Sequence, residues 1–123
     1  MSQPISEQAL SQIFKTARSH SAWRQETVPA SLIEAVYDLS KMGPTSANCS
    51  PARYVFISSA EGKARLKPFL SEGNVEKTMT APWVVIIAHD LDFPDRLPEL
   101  FPHDPSAKNW FSDDTIRETT AFR

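Results

Sequence analysis

The sequence predicts a domain that combines helices with β-strands. Apolar residues recur at helical spacing near the N-terminus and again after Pro29, which indicates two amphipathic helices. Two β-branched and aromatic runs, 53–58 and 83–89, indicate strands. Of the 123 residues, 41% are hydrophobic and 23% are charged, which fits one globular domain over residues 1–123.

The first helix is expected to begin after Ser6, whose hydroxyl suits a helix N-cap, and to end near residues 18–21. A second helix follows Pro29 and meets the stop signal Gly43-Pro44, after which residues 45–52 should form a loop. The side chains expected to face inward from this second helix are apolar or aromatic: Leu32, Ile33, Val36, Tyr37 and Leu39.

The two strands are separated by helical sequence at 61–71 and 74–80. Pro82 should close the second of these helices because it disfavours helical backbone at Ala81. The run 83–89 is apolar on both faces, which predicts a central strand.

The sequence changes character after His89. Four of the ten prolines fall between Phe93 and Pro105, which predicts a long surface loop that could form a lid or a pocket wall. A last helix should start at residue 112 or 113 and shows no stop signal before Arg123. Two strands make a poor core by themselves, so we expect a domain that lacks its C-terminal part.

Bulk properties argue against several classes of protein. The net charge of -2 comes from 13 basic and 15 acidic residues spread along the chain, so nucleic acid is not an expected partner. The longest apolar run, 83–88, is too short to span a membrane, and the N-terminus lacks the regions of a signal peptide. A single cysteine excludes an internal disulfide, and we expect a cytoplasmic protein without a membrane partner.

The loop after the second helix concentrates neutral hydrogen-bonding groups. Pro44 would hold its backbone, while Thr45, Ser46 and Asn48 supply donors and acceptors suited to a phosphate or a polyol chain. Such residues are also common in turns, where they bond to their own backbone. From these residues alone, both interpretations stay open.

Two other segments carry candidate ligand contacts. Arg18 and Ser19 could bind a phosphate, since a guanidinium offers a fork of donors; alternatively, Arg18 and His20 are only cations at a helix C-terminus. Asn74 and Lys77 are three residues apart and share one helical face, although such a pair is more often simply solvated.

The segment Gly-Pro-Thr-Ser-Ala-Asn-Cys-Ser-Pro-Ala-Arg (43–53) resembles the loop of the nitroreductase family that precedes the first core strand, Pro-Ser-Ser-x-Asn-x-Gln-Pro-Trp. It is closest to the malonic semialdehyde reductase branch. Ser50 and Ala52 depart from the commoner glutamine and tryptophan. Residues 17–23 resemble the Arg-Arg-Ser-x-Arg-x-Phe motif, with Ala17 and Ser21 in place of two of its three arginines. Residues 74–77 resemble the Asn-x-x-Lys motif.

The resemblance covers essentially the whole chain and implies an α+β, nitroreductase-like fold in which helices pack on a central mixed sheet. It also implies a homodimer with two FMN molecules at shared sites. In this interpretation Lys77 stabilises the reduced flavin and Asn74 bonds its pyrimidine edge. The residues implied to bind FMN are Arg18, Ser19, His20, Ser21, Pro44, Thr45, Ser46, Asn48, Asn74 and Lys77.

The implied chemistry is a ping-pong reaction in which NAD(P)H gives hydride to flavin N5, and the flavin passes it to a small-molecule electrophile. No side chain need act as a catalytic acid or base. For this branch the implied substrate is malonic semialdehyde, reduced to 3-hydroxypropionate in pyrimidine breakdown, with nitroaromatics or quinones as further substrates. The alternative is a non-catalytic fragment that binds FMN weakly or only with a partner chain.

Two rival sites remain to be weighed. Cys49 could act as a nucleophile with His20, His89 or His103, but no local signature supports this, and a packed thiol is the expected state. The residues around His89 and His103 include acids, but they lack the spacing of a metal site, so we expect no metal.

Overall fold

The computed structural model describes residues 3–122 and combines short helices with one small sheet. The helices are α1 (Glu7–Leu10), α2 (Ala30–Ser40), α3 (Ala60–Leu66), α4 (Glu72–Thr80), α5 (Leu97–Leu100) and α6 (Asp114–Phe122). The strands are β1 (Ala52–Ile57) and β2 (Val84–His89). Short 3₁₀ segments cover Ser46–Asn48, Lys67–Phe69, Phe93–Arg96 and Pro105–Phe111.

The first helix begins as predicted, because the Ser6 hydroxyl accepts a hydrogen bond of 3.2 Å from the Ala9 N–H. After α1 the chain makes a π-helical turn over Ser11–Lys15 and leaves helical structure at Thr16. The helix therefore ends before the predicted boundary at residues 18–21. The Thr16 hydroxyl bonds back to the Ser11 carbonyl at 2.9 Å, which satisfies one group at this end.

The second helix matches its predicted position, but its apolar face is not buried as predicted. Leu32, Val36 and Leu39 are 52%, 51% and 77% exposed. Tyr37 does pack edge-on against the Tyr54 ring, at a centroid distance of 5.8 Å. The spacing therefore identified the apolar side of α2 correctly, while within residues 3–122 little covers that side.

The strands β1 and β2 pair antiparallel over their whole length, from Ala52 opposite His89 to Ile57 opposite Val84. The parallel pairing that a mixed sheet requires is not seen between residues 3 and 122. The prediction that 83–89 is a central strand is wrong for residues 3–122, because their sheet has two strands and β2 is one of its edges. β2 has β1 on one side and no other described strand beside it. Ile87 is 69% exposed, so the described residues leave its face of the sheet largely uncovered.

The connection between the strands follows the prediction. The Ser59 hydroxyl caps α3 by accepting a 3.0 Å hydrogen bond from the Gly62 N–H. Ala81, which precedes Pro82, has extended backbone with φ -61° and ψ 139°, so α4 ends where the proline requires.

The proline-rich segment is not the surface loop that its composition predicts. Phe93 and Leu97 are 1% and 0% exposed and lie at the centre of the main core cluster. Three of its four prolines fall at the first positions of short helical turns, where a missing N–H costs little: Pro94, Pro98 and Pro105. The segment therefore folds into the core; the other buried members of the cluster are Cys49, Ala107, Phe111 and Ala121.

Candidate functional site

The loop between α2 and β1 has unusual backbone geometry. Ala47, Asn48 and Ser50 have positive φ angles of 49°, 53° and 44° and are the non-glycine residues in that conformation within the described part of the chain. This left-handed conformation costs energy for residues with a Cβ, and it is concentrated at functional sites. The surrounding contacts must therefore hold the loop in place.

Two side-chain hydrogen bonds supply that support. The Thr45 hydroxyl accepts from the Ser50 N–H at 3.0 Å, and the Asn48 Nδ2 donates to the Leu100 carbonyl at 2.8 Å. The second bond ties the loop to the proline-rich part of the core. Thr45 thus bonds the backbone of its own loop, as the turn interpretation expected, whereas Asn48 bonds a distant carbonyl that this interpretation did not include.

Three of the predicted ligand contacts, Pro44, Thr45 and Ser46, are solvent-exposed and line one shallow cavity of about 240 Å³. Thr120 of α6 lines the same cavity. Burial raises the pKa of the neighbouring Cys49 thiol, although a hydrogen bond with Thr45 opposes the rise. Because Cys49 is 2% exposed and its thiol is held neutral, a role as nucleophile has no support in this arrangement.

The segment after α1 is exposed at Arg18, Ser19, His20 and Ser21. The Arg18 guanidinium donates to the carbonyls of Ala17 at 2.6 Å and Lys15 at 3.4 Å. Arg18 lies beyond the helix end, and of these two carbonyls only that of Lys15 belongs to the helical turn, so the alternative interpretation of this segment is met in part. Its exposure leaves the guanidinium free to rotate toward an anion.

The helix α4 presents the remaining predicted contacts. Asn74 is exposed, with Nδ2 donating to the Ser71 hydroxyl at 3.0 Å, while Lys77 is half-buried. The Lys77 carbonyl accepts a 2.6 Å hydrogen bond from the indole Nε1 of Trp23. This contact brings the segment 17–23 onto α4. In residues 3–122 no hydrogen bond joins the loop 43–53 to either of them.

A second cleft contains none of the ten predicted residues. Its volume is about 700 Å³, and it lies between α2, β1 and the proline-rich segment. Arg53 in its wall forms a 2.6 Å ion pair with Asp90. Alternation along β1, which places Tyr54 and Phe56 on one face, was the available sequence signal for this cleft. Its polar and aromatic lining residues are Glu34, Tyr37, Ser50, Arg53, Tyr54, Phe56, Phe93 and Arg96.

Two further classes of feature are absent from residues 3–122. None of the helices there is long and apolar enough to cross a membrane. No group of three or more histidine, cysteine or acidic side chains in the described chain is placed to hold a metal ion.

Comparisons with known proteins agree with the resemblance seen in the sequence. No family model matches the chain. It is 54% identical over 120 residues to a Burkholderia lata protein named "putative NADH dehydrogenase/NAD(P)H nitroreductase", covering 97% of this chain and 61% of the relative. The chain thus spans about three fifths of the length of this curated relative.

A solved structure shows the fold. The crystal structure of a "putative nitroreductase in complex with FMN" from Exiguobacterium sibiricum matches with a TM-score of 0.68 and 22% identity. The match covers 98% of this chain and 56% of that one. The predicted α+β, nitroreductase-like fold is therefore confirmed, and the two likenesses together support the nitroreductase family.

Proposed function

We infer that this chain is part of a nitroreductase-family oxidoreductase that uses FMN and NAD(P)H. The observation that carries this inference is the 54% identity over 120 residues to the Burkholderia lata relative. The fold match to a structure that holds FMN supports the choice of cofactor. The strained loop at 47–50 supports it independently, because such backbone geometry is expected at a ligand site.

The chemistry of the described residues fits FMN. The exposed hydroxyls of Thr45 and Ser46 suit its ribityl chain or phosphate, and the Arg18 guanidinium suits the phosphate. When bound, FMN would take hydride from NAD(P)H and deliver it to an electrophile. Lys77 would hold positive charge near the reduced ring, and Asn74 would orient it by hydrogen bonding.

The remaining contacts in the proposed site are His20, Ser21, Ser19, Pro44 and Asn48. His20 and the two serines are exposed on the segment that follows α1, where they can reach a phosphate beside Arg18. Asn48 would act mainly by holding the loop, since its Nδ2 already bonds to the core. These residues form a binding site, and no side chain is required as a catalytic acid or base.

We propose malonic semialdehyde as the substrate, with nitroaromatics and quinones as further electrophiles. The support is the branch resemblance of residues 43–53, including Ser50 and Ala52. We also propose that the protein forms a homodimer with flavin sites shared between the two subunits. We propose the cytoplasm as its location. The exposed apolar face of α2 is consistent with burial against further protein.

A second candidate is that the 123-residue chain alone is non-catalytic and binds FMN weakly or only with a partner chain. The exposure of large apolar side chains favours it: Ile87 is 69% exposed and Phe69 is 84% exposed. Purified 123-residue chain that retains no FMN while the full-length protein does would support this candidate. Equal FMN retention by both would reject it.

The proposed role of Arg18 in binding FMN is tested by comparing two arginine variants of the full-length protein. Arg18→Ala should weaken FMN binding at least tenfold, since a charge-assisted phosphate contact contributes about 1.5–3 kcal/mol. Arg24→Ala is the matched control, because Arg24 is exposed and forms only a 3.8 Å ion pair with Glu26. Equal FMN affinity in both variants would remove Arg18 from the site.

A further inference from the structure

The C-terminal end of α4 is held by a buried ammonium group. Lys63 of α3 is 9% exposed, and its Nζ donates to the Ala81 carbonyl at 2.7 Å and to the Met79 carbonyl at 3.3 Å. A cation at this position satisfies carbonyls that have no helical partner and matches the negative end of the helix dipole. An ammonium group taken out of water is costly unless its protons are hydrogen-bonded, so the two carbonyls hold Lys63 at this place.

A second donor reaches the same end of α4 from far away in the sequence. The Trp23 indole donates to the Lys77 carbonyl at 2.6 Å across 54 residues. Trp23 stands where the motif Arg-Arg-Ser-x-Arg-x-Phe has phenylalanine, which has no N–H to donate. This tether is therefore a feature of the present sequence that the motif does not supply.

A third hydrogen bond anchors the segment that carries Trp23. The Trp83 indole donates to the Val28 carbonyl at 2.8 Å, immediately after α4 has ended. The segment 17–29 is thus attached to α4 through Trp23 and to the start of β2 through Val28. These bonds join the segment that follows residues 18–21 to the helix that carries residues 74–77, which are two parts of the proposed flavin site.

We propose that Trp23 and Lys63 are positioning residues for the flavin. Through hydrogen bonds to backbone carbonyls they restrain the end of α4 and join it to the segment that carries Arg18, so that Lys77 and Arg18 can contact the same FMN molecule. The proposal rests on the proposed function and adds two residues that touch neither the phosphate nor the ring. A cation that can drift from the flavin stabilises the reduced ring less, which lowers the reduction potential.

The test uses the full-length protein purified with FMN. Trp23→Phe removes only the N–H donor and keeps the aromatic ring, and Lys63→Met removes the ammonium while keeping the apolar stem. Each should raise the FMN dissociation constant about fivefold to tenfold and lower the flavin potential relative to wild type. Lys63→Arg, which keeps a cation, should restore most of both quantities.

Control variants carry the same types of substitution at residues that do not form the Trp23 and Lys63 hydrogen bonds. Trp110→Phe alters an indole that is 50% exposed, and Lys67→Met alters an exposed lysine just after α3. Both should retain the wild-type dissociation constant and flavin potential. Parallel thermal melts of all variants separate a positioning effect from a general loss of stability.

The outcomes are distinguishable. If Trp23→Phe and Lys63→Met lower the melting temperature but leave the potential at the wild-type value, the two residues are only structural and the proposal is overturned. If wild-type protein binds no FMN and does not oxidise NAD(P)H, the proposed function fails and the positioning role fails with it. A lowered potential in Trp23→Phe, with an unchanged melting temperature, supports the proposal most directly.

Discussion

Leu97→Ala tests whether the proline-rich segment is the centre of the core. Leu97 is fully buried at 0% exposure and belongs to the same cluster as Phe93 and Phe111. Truncation of a buried leucine costs about 2–5 kcal/mol, part of which comes from the cavity that remains. The alanines of the same cluster, Ala107 and Ala121, are too short to fill that cavity, so we expect a loss of about 3–4 kcal/mol, in the middle of that range.

Such a loss is a large fraction of the roughly 5–15 kcal/mol that stabilises an ordinary domain. Urea unfolding of the full-length protein, followed by circular dichroism, measures it as a shift of the midpoint at constant slope. Leu39→Ala is the control, since Leu39 is 77% exposed and should cost less than about 0.5 kcal/mol. Equal destabilisation by the two variants would show that the segment around Leu97 is the surface loop its composition predicts.

Three further predictions concern single side chains. Ser59→Ala should cost about 1 kcal/mol in urea unfolding, because it removes the cap on the Gly62 N–H, and an unchanged midpoint would contradict the cap. Hydrogen bonds from the Ser106 hydroxyl and N–H lower the pKa of Asp104 below its usual 3.8. The stabilisation that the Asp104 carboxylate contributes is therefore complete above that value and is lost as the pH falls through the lower folded pKa. In Asp104→Asn the free energy of unfolding should fall less steeply with decreasing pH in the acid range, and an unchanged slope would refute this. Burial and a raised pKa should make Cys49 react with iodoacetamide far more slowly in native protein than in urea, and equal rates would show an accessible thiolate.

The sequence predicted local structure well where short-range rules decide it. The predicted strands 53–58 and 83–89 match the observed Ala52–Ile57 and Val84–His89 within one residue. The Ser6 cap and the break before Pro82 are also confirmed, because each depends on neighbouring residues only. Antiparallel pairing of the strands depends on how the intervening helices pack, which no local pattern records.

The wrong predictions for the proline-rich segment and for α2 have one physical origin. A sequence shows that a residue is apolar, but it does not show which distant residues pack against it. The sequence predicted a loop in the proline-rich segment because proline interrupts long helices. In the structure three of the four prolines stand instead at the start of short helical turns. The face of α2 around Leu39 was identified as apolar, but its exposure depends on protein that must pack there. Burial depends on long-range contacts, so periodicity alone could not supply it.

The candidate site was predicted as motifs and stays a prediction at the level of individual residues. The motifs lie in three segments, 17–23, 43–53 and 74–77. The structure joins the first to the third through the hydrogen bond from Trp23 to the Lys77 carbonyl. That bond spans 54 residues, and the cleft near Arg53 gathers side chains from three elements. The bond leaves no short-range pattern in the sequence, and alternation along β1 indicates only the face that Tyr54 and Phe56 share, not the elements that complete the cleft.

The central claim is that this chain contributes to an FMN site that accepts electrons from NAD(P)H. It is tested most directly by anaerobic titration of the purified full-length protein with NADH and with NADPH, followed at the flavin absorbance bands. We predict one FMN per chain and full bleaching by one equivalent of at least one of the two nucleotides. Protein that retains no FMN after desalting and reconstitution, or bound FMN that neither nucleotide reduces, would contradict the account.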